Sequence, residues 1–169
     1  MKAETGRVFD AREDRFGRSY EELEVGDVYR HWPGKTITQA EDHLFCLLTL
    51  SNSPIHTDAH YANTELKDGR NIVVGTYIYA LLLGMSVPDI SGKALAALST
   101  HRLRHVQPVF HGDTLYAESR VMRKRPSRSI PDAGLVSVET RGLNQHGQLV
   151  CDFRRTVLVP MRGGDGAGA

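Results

Sequence analysis

Eleven consecutive residues, Gly75–Met85 (GTYIYALLLGM), carry no charge and no strongly polar face, and they restrict the chain more than any other segment. A helix lying on a surface shows an apolar stripe and a polar one; a helix apolar all round must be surrounded by protein. Pro88 stops it, because proline has no amide for the next hydrogen bond. From Ala94 onward no helix signal follows. Ala94–Val106, Leu115–Lys124, Val136–Leu143 and Leu149–Val159 read as strands, separated by Gly112-Asp113, Pro126–Gly134 and His146-Gly147. In the second of these, Leu115, Ala117, Ser119 and Val121 alternate with Tyr116, Glu118, Arg120 and Met122, so one face turns toward a core. Helices first, then strands joined by short turns, predict an α+β domain: an antiparallel β-sheet wrapped around one long buried helix.

Upstream, Val28–Ile37 reads as a first strand bent at Pro33–Gly34. Thr38-Gln39-Ala40-Glu41 has the spacing of a capping box, so a helix runs from there to about Leu50 and ends in Ser51-Asn52-Ser53-Pro54. Asp58 caps a short turn through Ala62. With 169 residues, of which 40% are hydrophobic, the chain suffices for one compact domain, expected over 19–161 between flexible tails at 1–18 and 162–169. A net charge of +1 removes the footprint of a dedicated nucleic-acid binder. Cys46 and Cys151 stand far apart without zinc-ligand spacing, and none of His43, His60, His101, His105, His111 and His146 has a partner at such spacing. No metal is expected, and buried thiols point to a reducing compartment. The charged N-terminus has no apolar signal region and no segment is long enough to span a bilayer, so the expectation is a cytoplasmic protein off the membrane.

The most informative stretch is Phe45–Ala62 (FCLLTLSNSPIHTDAHYA), where a helix breaks into a loop that presents His56. It resembles the MaoC-like enoyl-CoA hydratases, which have the hot-dog fold and a pattern close to Leu-Thr/Ser-Gly-Asp-x-Asn-Pro-hydrophobic-His-x-Asp. The match lies at Leu48, Thr49, Pro54, Ile55, His56 and Asp58. The chain departs at Leu50 (glycine in the family), Ser51 (the catalytic aspartate) and Ser53 (asparagine). Ile72–Thr76 resembles the start of that family's central helix, with Gly75 matching and Val74 replacing a histidine. Pro108–Leu115 resembles its Pro-Val-x-x-Gly-Asp-Thr-Leu turn. The blocks at His31–Gly34, Arg128–Asp132 and Thr140–Gln145 look more particularly like the mesaconyl-CoA hydratase branch, where a small polar residue often fills the aspartate position.

The resemblance implies an acyl-CoA hydratase or dehydratase acting on a short branched dicarboxylic substrate such as mesaconyl-CoA or itaconyl-CoA. No cofactor is implied beyond the CoA of the substrate, and a homodimer or higher homo-oligomer is. Other readings are a hot-dog thioesterase and a non-catalytic acyl-CoA-binding subunit. Hydration of an enoyl thioester needs a base for water, an acid for Cα and donors for the enolate oxygen. His56 can move protons near neutral pH, or it is a loop histidine bonded to backbone. Free amides near Gly75 and Thr76 at a helix start are preformed donors. Ser51 and Asn52 either end the helix or place water and thioester, and Asp58 either caps the next turn or orients the imidazole. Arg102 and Arg104 share one strand face, read either as solvated or as contacts for CoA phosphates or a substrate carboxylate. The basic run Arg123, Lys124, Arg125 and Arg128 carries the same two readings.

Overall fold

The computed structural model describes residues 16–163; the expected tails fall almost wholly outside them. In chain order the main elements are strands β1 (Val28–Arg30) and β2 (Lys35–Thr36), helices α1 (Gln39–Thr49), α2 (Pro54–Thr57), α3 (Ala59–Glu65) and α4 (Gly75–Met85), and strands β3 (Ala96–His105), β4 (Thr114–Pro126), β5 (Ala133–Leu143) and β6 (Leu149–Pro160). The bend expected at Pro33–Gly34 splits the first strand into β1 and β2. At the start of α1 the capping box forms as its spacing predicts. The Glu41 amide donates to Thr38 Oγ1 at 3.3 Å, and the Thr38 amide donates to Glu41 Oε2 at 3.0 Å. Lys35 bonds the same carboxylate and, with Thr38, holds its pKa at about 2.

All strand pairs are antiparallel, in the order β1-β4-β5-β6-β3, with β2 paired to β4. Residues 108–115 turn the chain into β4 through Gly112 at φ +95°, a conformation that favours glycine. Helix α4 packs on one face of the sheet through Ile78 and Leu82, which bury against Ile37, Val109, Leu115 and Phe153. Gly142 on β5 lets the helix come down: a Cβ there would lie 2.4 Å from Leu82 Cδ1. A second cluster, with Leu23, Ile90, Val121 and Val157 among its members, fills the other end. Both cysteines are buried and free, and burial pushes the Cys151 thiol up to about 11.

The expectation that α4 is surrounded on every face needs correcting. Thr76, Ala80 and Gly84, one helical turn apart, are exposed, and so is β3 from Ala97 to His105. The reason is geometric: a single chain supplies sheet to one side of the helix and leaves β3 at the edge of the path.

Candidate active site

Helix α1 ends with Leu50 in the left-handed region, φ 56° and ψ 30°, which turns the chain sharply into Ser51–Ser53. Ser53 is extended because a proline follows, and Pro54 opens the single turn α2. Three hydrogen bonds lock that turn from behind. The buried Asn71 side chain donates from Nδ2 to the carbonyls of Pro54, Ile55 and Asp58 at 3.3, 3.1 and 3.1 Å. The Ile72 amide then donates to the Ile55 carbonyl at 3.1 Å.

His56 sits on this turn with its Nδ1 2.7 Å from the Ile72 carbonyl oxygen. A carbonyl only accepts, so Nδ1 carries the proton and the neutral ring keeps its lone pair on Nε2. The ring lines a cavity of about 310 Å³ together with Ile72, Gly75, Ile78, His105 and Pro108. Gly75 is the first residue of α4, so its amide and that of Thr76 have no acceptor within the helix. The preceding amide, on Val74, is taken by Asp42 of α1 at 3.1 Å. Asp42 is fully buried, and its other oxygen accepts from His111 Nε2 at 2.9 Å. A buried carboxylate thus anchors the start of the central helix, where the helix dipole favours negative charge, and leaves the Gly75 amide to the site.

Of the residues singled out in the sequence, His56 and Gly75 meet at this cavity; Ser51, Asn52, Asp58, Thr76, Arg102 and Arg104 do not line it. Ser51 is half-buried at the helix end, with its amide on the Cys46 carbonyl at 2.9 Å. Asn52 and Thr76 are exposed. Asp58 caps α3, accepting from the Tyr61 amide at 2.9 Å. Strand alternation sends Arg104 and His105 to opposite faces. His105 is in register with Cys151, whose side chain is in the core under α4, whereas Arg104 is in register with Asp152 and bonds it through Nε at 2.8 Å. Arg102, at a bulge with φ 56°, lines a separate depression with Arg104, Glu139 and Arg154. The run Arg123–Arg125 borders a third depression, with Lys124 bonded to Glu24 at 3.0 Å. Among the described residues no group of histidine, cysteine or acidic side chains is arranged to hold a metal ion, and no helix is long and apolar enough to cross a membrane.

Sequence reading missed Asn71, the Asp42–His111 pair and His105. Each acts on a partner remote in the chain, and only Asn71 carries a local signal, as a lone amide just before the apolar Ile72–Val74.

The family model described as mesaconyl-CoA hydratase matches residues 4–167. A mesaconyl-CoA hydratase from Cereibacter sphaeroides is 34% identical over 146 residues, covering 86% of this chain and 42% of that protein. A MaoC-like dehydratase from Rhodospirillum rubrum superposes with a TM-score of 0.74 at 27% identity, covering 86% of this chain and 99% of that one. A Mycobacterium tuberculosis protein described as having a double hot-dog fold superposes with a TM-score of 0.72 at 22% identity, over 90% of this chain and 47% of that one, a likeness of fold. The chain spans less than half the length of the curated relatives it matches.

Proposed function

The chain belongs to the mesaconyl-CoA hydratase family, and from that premise we propose that it adds water to, or eliminates it to form, the α,β double bond of an enoyl-CoA. The observation that carries the reading is His56, with Nδ1–H tied to the Ile72 carbonyl and Nε2 left as a base, on the same cavity as the first turn of α4. As water attacks Cβ, Nε2 takes its proton; the electron pair moves toward the thioester, whose oxygen becomes an enolate oxygen. The Gly75 amide supplies a hydrogen bond, and the start of α4 the positive end of the helix dipole, to that oxygen. Protonation at Cα completes the addition. The same groups in reverse order eliminate water. The substrate is a short branched dicarboxylic enoyl-CoA such as mesaconyl-CoA or itaconyl-CoA, a reading supported by the names of the curated relatives. The enzyme works in the cytoplasm as a homodimer or larger homo-oligomer, with no cofactor beyond the CoA of the substrate.

A panel of crotonyl-, mesaconyl- and itaconyl-CoA tests this. Hydration removes the absorbance of the conjugated thioester, whereas a thioesterase releases free thiol and a binding subunit does neither. His56→Ala should lower kcat by at least about a hundredfold, the low end for a general acid–base group. Near-normal turnover in a folded variant sinks the assignment.

A further inference from the structure

We propose that His105 is the second proton-transfer residue of this cavity, delivering the proton to Cα while His56 takes one from water. The inference rests on the hydratase reading above and adds a residue to it.

Adding water to an enoyl thioester moves two protons at two carbons, and so calls for a base on one side and an acid on the other. Among the described residues lining the cavity, two side chains are ionisable, His56 and His105. Ser51 is a neutral hydroxyl and does not line the cavity. The imidazole of His105 also lies where the acid is needed. It fills the space left by the absent side chain of Gly75: a Cβ there would be 2.7 Å from His105 Nε2, 2.9 Å from Cε1 and 3.1 Å from Cδ2. Gly75 opens α4, and in the hydratase reading its free amide is the donor for the thioester oxygen. In any thioester that oxygen and Cα are bonded to the same carbon, so a ring packed against the oxygen's donor is beside Cα as well. The ring is also free to act, since its nitrogens hydrogen-bond to no described residue, unlike those of His31, His56 and His111. Its glycine contact explains Gly75 in a second way: any larger residue would push the imidazole off the helix start.

The step balances. The O–Cβ bond forms as His56 Nε2 accepts a proton from water, and the π electrons pass into the enolate. The enolate pair then takes a proton from the imidazolium of His105, forming Cα–H and restoring the thioester carbonyl. His56 ends protonated and His105 neutral. Both rings recover their starting states by proton exchange with water before the next turnover.

The test uses the full chain and the same enoyl-CoA panel. His105→Phe keeps a flat ring over Gly75 and cannot carry a proton; His105→Gln removes the acid with a smaller, polar side chain and serves if the phenylalanine variant does not fold. Either should lower kcat by at least about a hundredfold with KM nearly unchanged, and His105→Glu, which restores a proton donor, should regain about tenfold or more over them. A folded His105→Phe or His105→Gln with wild-type kcat overturns the proposal and leaves the hydratase reading standing. Equal losses in the glutamate and the neutral variants also overturn it, because packing alone would then account for the effect. A wild-type chain inert on every enoyl-CoA overturns the hydratase reading and this inference with it.

Discussion

Leu50 is a residue in the wrong conformation for its type. It adopts φ 56° at the end of α1. A side chain in the left-handed region costs about 1–2 kcal/mol, and glycine gives back about 0.5–1 kcal/mol of that through its freer unfolded chain. Leu50 is 77% exposed, so its removal uncovers little apolar surface. Leu50→Gly should therefore stabilise the protein by about 0.5–1 kcal/mol, seen as a melting temperature higher by about 1–4 °C. A lower melting temperature would show that the leucine makes a contact outweighing its backbone strain. At this scale the sequence was readable where the signal was local. Ser-Pro-Ile-His marked the turn and Gly75 marked the helix start. Asn71 reaches back 17 residues and Asp42 forward 32, and no spacing rule connects residues so far apart.

Helix α4 is an element pinned at both ends by charges from other elements. Asp42 holds the Val74 amide at its start, and at its end Arg155 of β6 donates to Ser86 Oγ at 2.7 Å, while that hydroxyl donates to the Leu83 carbonyl at 2.6 Å. A cation at a helix C-terminus faces the negative end of the dipole. Arg155 also bonds Ser91 Oγ at 3.1 Å, and burial pulls its pKa down to about 10. Arg155→Ala would leave a cavity and two hydroxyls short of a donor, costing about 3 kcal/mol. Arg155→Met keeps most of the volume without a charge to desolvate and should cost about 1 kcal/mol or less. Urea unfolding of both variants checks the pair: equal losses would mean that the charge, and not the filled volume, stabilises the helix end. The element boundaries themselves were legible, because a period of two and a run of apolar residues are properties of neighbours. The strands β3 to β6 begin and end close to their expected positions. What holds α4 in place was not legible, since Arg155 in sequence looks like any charge on a half-exposed strand.

In the whole molecule the apolar composition of α4 and its surroundings in one chain disagree, and the disagreement predicts assembly. A helix with no polar face leaves Thr76, Ala80 and Gly84 in solvent, small residues that let another backbone approach, while β3, the last strand in the order among the described residues, exposes Leu98 and Leu103. The expected species is a homodimer of about twice 18.8 kDa. Ala80→Arg, which puts a long charged side chain in the middle of the exposed α4 stripe, should yield a monomer with unchanged far-ultraviolet circular dichroism. Hydratase activity should fall with it, because Gly75 and His105, which line the cavity, belong to the two elements this chain leaves uncovered. Light scattering coupled to size exclusion decides the matter: a wild-type chain that is monomeric at micromolar concentration, or an Ala80→Arg variant that stays dimeric, would place the partner surface elsewhere than on α4.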